Sequence, residues 1–349
     1  MVDSHYKCAL IGCGYRSDGH AQAYRHVTRG RLVAACSSDP TKLAAFADRW
    51  GIDKRYDDAA AMLDRVKPDV LHVVTKPTRR ADILRLAEEH RVPVVIIEKP
   101  IAMQGEDYRD LVALAAKLRT KVCVNHQLHF HPRRMALEKH VKDGGIGDVR
   151  LIDASARLNL AAQGTHMLEL IGAFNGFAPV TELFAQAGGA EGLDATNGHA
   201  APDLCQASLA YANGVRAHLL CGSSAPRVVA DATEPMHKRI AVHGTRGLVE
   251  WTMHGYTMTA ADGTLETGTH DYFEQDVLGQ AGLTEAAFDW IEDEGRTHPL
   301  NLHAALADFQ TVLAIYTSAI ERRPITLPFE PGDDLLRRLR AAVAGLGGE

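Results

Sequence analysis

The sequence has no C-x-x-C pair. Its six cysteines, Cys8, Cys13, Cys36, Cys123, Cys205 and Cys221, are scattered along the chain. Cys8, Cys36 and Cys123 sit in apolar runs, where cysteine behaves as a small hydrophobe. This argues against a disulfide scaffold and for a reducing cytoplasm. There is no long lysine or arginine run either. The densest basic spots, Arg79-Arg80 and Arg337-Arg338, are short and read as solvated surface, and the net charge is -6. A nucleic-acid partner is therefore not expected. No apolar run approaches the ~20 residues of a membrane span. The opening "MVDSHYK" lacks the apolar core of a secretion signal, so a cytoplasmic location and no membrane association are expected. Internal repeats and low-complexity segments are missing as well.

What is present is 349 residues of ordinary globular composition, 46% hydrophobic and 23% charged, enough for two domains with a sizeable core. The first third alternates strand-like and helix-like segments. "YKCALIGC", "RLVAACSS", "DVLHVVT", "VPVVIIE" and "KVCVNH" read as strands. Helices are expected over about 18–29, then in "PTKLAAFADRWG", "DDAAAMLDRV", "RRADILRLAEEH" and "GEDYRDLVALAAKLR". Such alternation predicts a parallel, doubly wound sheet. After about residue 150 the pattern changes to strands separated by turn signals: "DVRLIDASARL", "VTELFAQAG", "DLCQASLAYA", "VRAHLLCG", "KRIAVHG", "LVEWTM" and "YTMTAAD". Few helices intervene before a late one over about 302–322. This predicts an α/β protein, with a Rossmann domain over 1–124 and a second α/β domain over 125–349 built on a large, mostly antiparallel sheet.

Three stretches of the first domain carry candidate chemistry. Gly12-Cys13-Gly14-Tyr15-Arg16-Ser17 follows a strand and precedes a helix. Glycines there permit a tight turn and close approach to a pyrophosphate, which sits at the helix N-terminus. The alternative is a plain structural turn. Ser17 replaces the third glycine of the dinucleotide fingerprint, so helix and strand are expected to pack less closely. In "AACSSDP", Ser37 falls roughly where an acidic residue ordinarily bonds the ribose, ~20 residues beyond the fingerprint. Ser37 and Ser38, with Lys42 nearby, suit the 2′-phosphate of NADP, whereas Asp39 argues for NAD, so the cofactor is left as NAD or NADP. The third stretch is "VVIIEKP". Glu98 and Lys99 stand at the carboxyl end of a buried strand, where parallel sheets bind ligands. A surface salt bridge is the alternative reading.

In register, "LIGCGYRSDGHA", "VVTKPTRRADI", "EKPIA", "QGTHMLEL", "AVHGTRGLVEW" and "AIERRPITLP" resemble the glucose-fructose oxidoreductase / inositol dehydrogenase (Gfo/Idh/MocA) family over nearly the whole chain. The resemblance implies NAD(P)-dependent oxidation or reduction of a sugar or cyclitol hydroxyl, and a homodimer or homotetramer formed through the C-terminal sheet. It implies that Lys99 bonds the reacting hydroxyl, that Glu98 holds the lysine and the cofactor, and that Thr75 and Pro77 lie beside the nicotinamide ribose. Lys76 is unusually placed, and Arg80 stands where the family often has histidine. His166 matches the family's catalytic histidine, and histidine titrates in the range a general base needs. Many members carry a carboxylate four residues before it, where this chain has Ala162. Glu169, three residues beyond His166, is a poor substitute.

"VNHQLHFHP" holds His126, His129 and His131. Imidazoles bind zinc or iron, but no cysteine or carboxylate lies nearby, and no metal is expected. The resemblance places Asn125, His126, Gln127 and His129 against a sugar or polyol substrate. His199 and Asp203 are weaker candidates. Two other functions stay open: a redox-neutral elimination or epimerisation with retained NAD, and a non-catalytic dinucleotide-dependent regulator.

Overall fold

The computed structural model describes residues 5–196, 198–231, 233–259 and 262–344. The chain forms two compact units. One comprises residues up to 102, 109–130 and 276–306; the other comprises 103–108, 131–275 and the residues from 307 onward.

The first unit is built on six parallel strands: β1 (Tyr6–Ile11), β2 (Gly30–Cys36), β3 (Lys54–Tyr56), β4 (Val70–Val73), β5 (Val94–Glu98) and β6 (Lys121–Asn125). Their order is β3-β2-β1-β4-β5-β6, the doubly wound Rossmann arrangement. Helices α1 (Tyr15–Ala23), α2 (Pro40–Trp50), α3 (Ala59–Val66), α4 (Arg80–Glu89) and α5 (Gly105–Ala115) connect them. The expected α/β class and sheet type hold. Helix α1 differs from the 18–29 expected. It starts directly at the glycine turn, with Gly14 as its N-cap, and closes at Tyr24. Strand β3 is too short to leave a periodic signal.

Local chemistry explains the helix boundaries. Asp39 caps α2 by accepting from Lys42 N, Pro40 occupies the first turn, and Gly51 ends the helix in the left-handed region at φ 65°. Asp58 caps α3 in the same way.

The second unit carries α6 (Pro132–Lys142), β7 (Val149–Ala156), α7 (Thr165–Phe174), β8 (Val180–Gly188), β9 (Leu204–Tyr211), β10 (Arg216–Gly222), β11 (Arg239–Gly244), β12 (Leu248–Thr252), β13 (Gly255–Thr259) and β14 (Leu265–Thr269). After these come α8 (Tyr272–Glu292), α9 (Leu302–Glu321), β15 (Ile325–Thr326) and α10 (Leu335–Val343). The nine-stranded sheet runs β14-β13-β12-β11-β7-β10-β9-β8-β15. Among the described residues, its only parallel pairing is β7 with β10. Strands β8 to β10 alternate buried and exposed residues, so one face is core and the other solvated. The strand expected over 256–262 is realised as β13, and Ala260 and Ala261 lie outside the described residues.

Two expectations need correction. Helices in the second half are more numerous than expected, α8 with 21 residues being the largest. The division at 124/125 is also not a single cut, because residues 276–306 belong to the first unit. Leu283, Ala287 and Phe288 of α8 and Leu300 pack with Cys8, Val70, Val94, Ile96 and Cys123 in one core cluster. Phe288 stacks on Tyr6 at 4.6 Å between ring centroids. Gly30 leaves it room, since a Cβ there would fall 2.4 Å from the ring. Burying a phenylalanine contributes ~1.5–3 kcal/mol, enough to commit this late segment to a core begun at residue 6.

Candidate active site

The glycine turn is shaped by backbone contacts. Gly12 has φ +97°, and a Cβ there would lie 2.3 Å from the Val74 carbonyl oxygen at the end of β4. Its N–H donates to the Cys36 carbonyl at 2.8 Å. Gly14 has open space where a Cβ would sit. The turn thus leaves bare backbone amides at the start of α1, a cradle for an anionic group. Ser17 is fully buried, and its hydroxyl donates to the Gly12 carbonyl at 2.5 Å, tying the turn to the helix it starts. Tyr15 is 96% exposed.

Glu98, the last residue of β5, is the hub of the unit. Its Oε1 accepts from Arg16 Nε at 3.0 Å, His20 Nε2 at 2.9 Å and Asn125 Nδ2 at 2.7 Å. The second Asn125 amide proton goes to Gln280 Oε1 at 2.9 Å, and Arg16 also faces Asp276 at 3.6 Å. Burial would raise the Glu98 pKa, but the Arg16 charge and the His20 hydrogen bond outweigh it and hold the carboxyl well below the usual range. Lys99 follows, before a cis peptide bond to Pro100. Burial lowers its pKa from 10.5 to about 8, partly offset by Glu98. A lysine tuned in this way holds or gives up a proton near neutrality.

Thr75 and the buried Pro77 begin the loop into α4. Arg80 is only 2% exposed, and its Nη1 donates to Thr75 Oγ1 at 3.3 Å. Its Nε and Nη2 have no hydrogen-bond partner among the described residues, and burial lowers its pKa to about 10. At the end of β2, Ser37 Oγ accepts from Asp39 N at 3.2 Å and Ser38 is exposed. The exposed Lys42 pairs with Asp39 at 3.1 Å.

His166 stands in the second unit, in the first turn of the wholly buried α7, and is itself 2% exposed. A π-turn, Leu160–Gly164, delivers it. Asn159 caps that turn by accepting from Ala162 N at 2.9 Å. Gly164 is required for packing: a Cβ would fall 2.5 Å from Leu160 Cδ1 and 2.8 Å from Cys221 Sγ. Glu169 is buried on the same helix, and burial together with the Glu169 charge raises the Asp308 carboxyl well above its usual value. Asp203 binds the backbone amides of Glu191 and Gly192 at 3.0 and 2.7 Å, and the His199 carbonyl accepts from Asn159 Nδ2 at 3.0 Å.

The first unit brings together Gly12, Gly14, Arg16, Glu98, Lys99, Thr75, Pro77 and Asn125. His126, Gln127 and His129 are buried there too, Gln127 donating to Asp276 at 2.8 Å. His131 belongs to the second unit and packs against Trp251 and Tyr272. Among the described residues no group of three or more His, Cys, Asp or Glu side chains could hold a metal ion.

Sequence reasoning missed His20, His72 and Tyr24. His72 lies in the middle of β4, buried on both faces, and its Nδ1 is 3.0 Å from Nδ1 of His20. Tyr24 OH is 2.8 Å from His72 Nε2. The signal was available, because a titratable side chain inside "VLHV" has to find a buried partner.

A glycine turn at a helix N-terminus and a lysine–glutamate pair at a strand end of a Rossmann sheet are the features of a dinucleotide-binding sheet. Residues 6–126 match the family described as oxidoreductase family, NAD-binding Rossmann fold. D-Apiose dehydrogenase of Paraburkholderia graminis is 32% identical over 142 residues, 41% of this chain and 38% of that protein. Inositol 2-dehydrogenase of Rhizobium meliloti is 31% identical over 153 residues, 42% of this chain and 44% of that protein. The matched stretch thus spans about two fifths of these relatives' own length. A crystal structure of an oxidoreductase from Agrobacterium radiobacter, in complex with NAD+, L-tartaric acid and magnesium, superposes with a TM-score of 0.78. It is 20% identical and covers 92% of this chain and 98% of that one, a likeness of fold alone. Among the described residues no helix is long and apolar enough to cross a membrane.

Proposed function

We propose that the chain is an NAD-dependent oxidoreductase that acts on a secondary hydroxyl, or the matching ketone, of a sugar, cyclitol or glycoside. The observation that carries this reading is the half-buried Lys99, its pKa lowered to about 8, beside a carboxylate kept ionised by Arg16, His20 and Asn125. The names of the relatives, D-apiose dehydrogenase and inositol 2-dehydrogenase, supply the substrate class.

The bound nicotinamide supplies the hydride acceptor or donor. The residues fit the dinucleotide: the open space at Gly14 and the bare amides of the α1 N-terminus suit its pyrophosphate. The Lys99 ammonium donates a hydrogen bond to the reacting oxygen and stabilises negative charge developing on it. His166 takes the hydroxyl proton as general base. The two side chains belong to different compact units. Glu98 and Asn125 position Lys99, while His126, Gln127 and His129 are assigned to the substrate's other hydroxyls. Asp39 favours NAD, because its carboxylate repels a 2′-phosphate and already engages Lys42, the nearest cation proposed for it. A homo-oligomer through the solvated face of the nine-stranded sheet completes the reading, with the 40%-exposed Phe184 of β8 on that face.

The test mixes the protein with NAD+ and, one at a time, D-apiose, myo-inositol and a methyl glucoside, and follows the reduced-nicotinamide absorbance. A band with one of them supports the reading. Binding of NAD+ with no band for any of them, and no cofactor retained through purification, overturns it in favour of a dinucleotide-dependent regulator.

A further inference from the structure

Behind Glu98 lies a continuous line of buried hydrogen bonds. Tyr24 OH is 2.8 Å from His72 Nε2, His72 Nδ1 is 3.0 Å from His20 Nδ1, and His20 Nε2 is 2.9 Å from Glu98 Oε1. Both imidazoles are fully buried. Their tautomers follow from the ends of the line. An ionised carboxylate only accepts, so His20 carries its proton on Nε2. Its Nδ1 is then bare and accepts from His72 Nδ1–H. His72 Nε2 is bare in turn and accepts from the Tyr24 hydroxyl. Every hydrogen bond in the line points towards Glu98.

We propose that Tyr24, His72 and His20 form a proton path between the C-terminal end of α1 and Glu98. A proton arriving at the Tyr24 oxygen releases the phenolic proton to His72 Nε2. The proton on His72 Nδ1 moves to His20 Nδ1, and the proton on His20 Nε2 moves to Glu98. The product is a carboxylic acid, two neutral imidazoles of reversed tautomer and an intact phenol, one proton richer in total. Reversal returns that proton to the Tyr24 end. Neither ring rotates, no charge is left on an imidazole, and no water is needed at Glu98. The partly buried Tyr24 caps α1 and neighbours the Cys8 thiol. The other charged groups bearing on the line are Arg16, Lys99 and Asp276 at its inner end and Glu285 at its outer end.

This path rests on the assignment of Glu98 and Lys99 to the reacting end of the dinucleotide site. Reduction of a ketone consumes one proton, and with the rings in this orientation the path loads Glu98 with a proton from the Tyr24 end; the proton of alcohol oxidation would leave only through the reversed tautomers. His20, His72 and Tyr24 are positioning and relay residues, since none of them touches substrate on this reading.

The test needs no turnover, so it separates failure of the path from failure of the dehydrogenase reading. Full-length protein labelled with 15N-histidine is studied by NMR with and without NAD+. The expected spectrum has two neutral rings of opposite tautomer, His20 with Nε2–H and His72 with Nδ1–H, neither titrating between about pH 6 and 8. In Tyr24→Phe and in His72→Gln, whose amide can bridge but cannot relay a proton, solvent exchange of the His20 Nε2–H slows about tenfold or more, while NAD+ affinity is unchanged. Identical tautomers, a ring that titrates in that window, or exchange unchanged in both variants overturns the path.

Discussion

Replacing Glu98 by glutamine tests how the Lys99 site is held. The substitution keeps an oxygen acceptor but removes the charge on which Arg16, His20 and Asn125 converge. Breaking a buried ion pair costs ~3–5 kcal/mol. Arg16 is 35% exposed, so the lower end applies, about 3 kcal/mol. For a urea slope of about 3 kcal/mol/M this lowers the unfolding midpoint of the first unit by about 1 M. Fluorescence of Trp50 and Trp290, both in that unit, reports the transition. The effect has a pH signature. Because the folded state depresses the Glu98 pKa, its contribution is complete above the ordinary value of 4.5 and is lost as pH falls through the depressed one. The gap between wild type and Glu98→Gln is therefore constant near neutrality and narrows in acid. Lys99 acts oppositely: burying its ammonium costs stability below about pH 8, and the cost is relieved as pH rises towards 10.5. A midpoint unchanged by the substitution, or a gap equally large in strong acid, refutes the account of Glu98 as an ionised hub.

Four further outcomes follow from the same geometry. Gly12→Ala should destabilise the first unit by ~2 kcal/mol or more, from a positive φ and a backbone clash, in thermal or urea unfolding. Gly14→Ala should fold normally, because its Cβ meets nothing, yet lose NAD+ affinity by about tenfold in a titration. If the Lys99 ammonium must be charged, nicotinamide reduction declines above about pH 8 in wild type, and Lys99→Arg carries that decline to higher pH. Asp39→Ala should weaken the preference for NAD+ over NADP+, read as the ratio of dissociation constants.

The first-unit sheet was legible because each buried strand is a short apolar run with a turn signal after it, "VVIIEKP" being the clearest. Gly12, Gly14, Glu98 and Lys99 could be found for the same reason: chemistry placed just past a strand end stands out against the strand. The fate of α8 could not be read. Its burial depends on partners more than 150 residues earlier in the chain, such as Cys8 and Val94, and local periodicity carries no information about them. His72 was passed over because "DVLHVVT" reads equally well as a strand whether or not its histidine has a partner. The partner, His20, lies two helices and two strands away in the chain. For Asn125 the sequence suggested a substrate contact; its amide protons go to Glu98 and Gln280, and its buried Oδ1 has no hydrogen-bond partner among the described residues.

The most direct test of the central claim compares wild type, Lys99→Met and His166→Asn in single-turnover mixing with NAD+ and the sugar or cyclitol that gives the strongest signal. The account predicts that all three bind NAD+ and that only wild type forms the reduced-nicotinamide band at an appreciable rate. A band formed equally fast by Lys99→Met would contradict it.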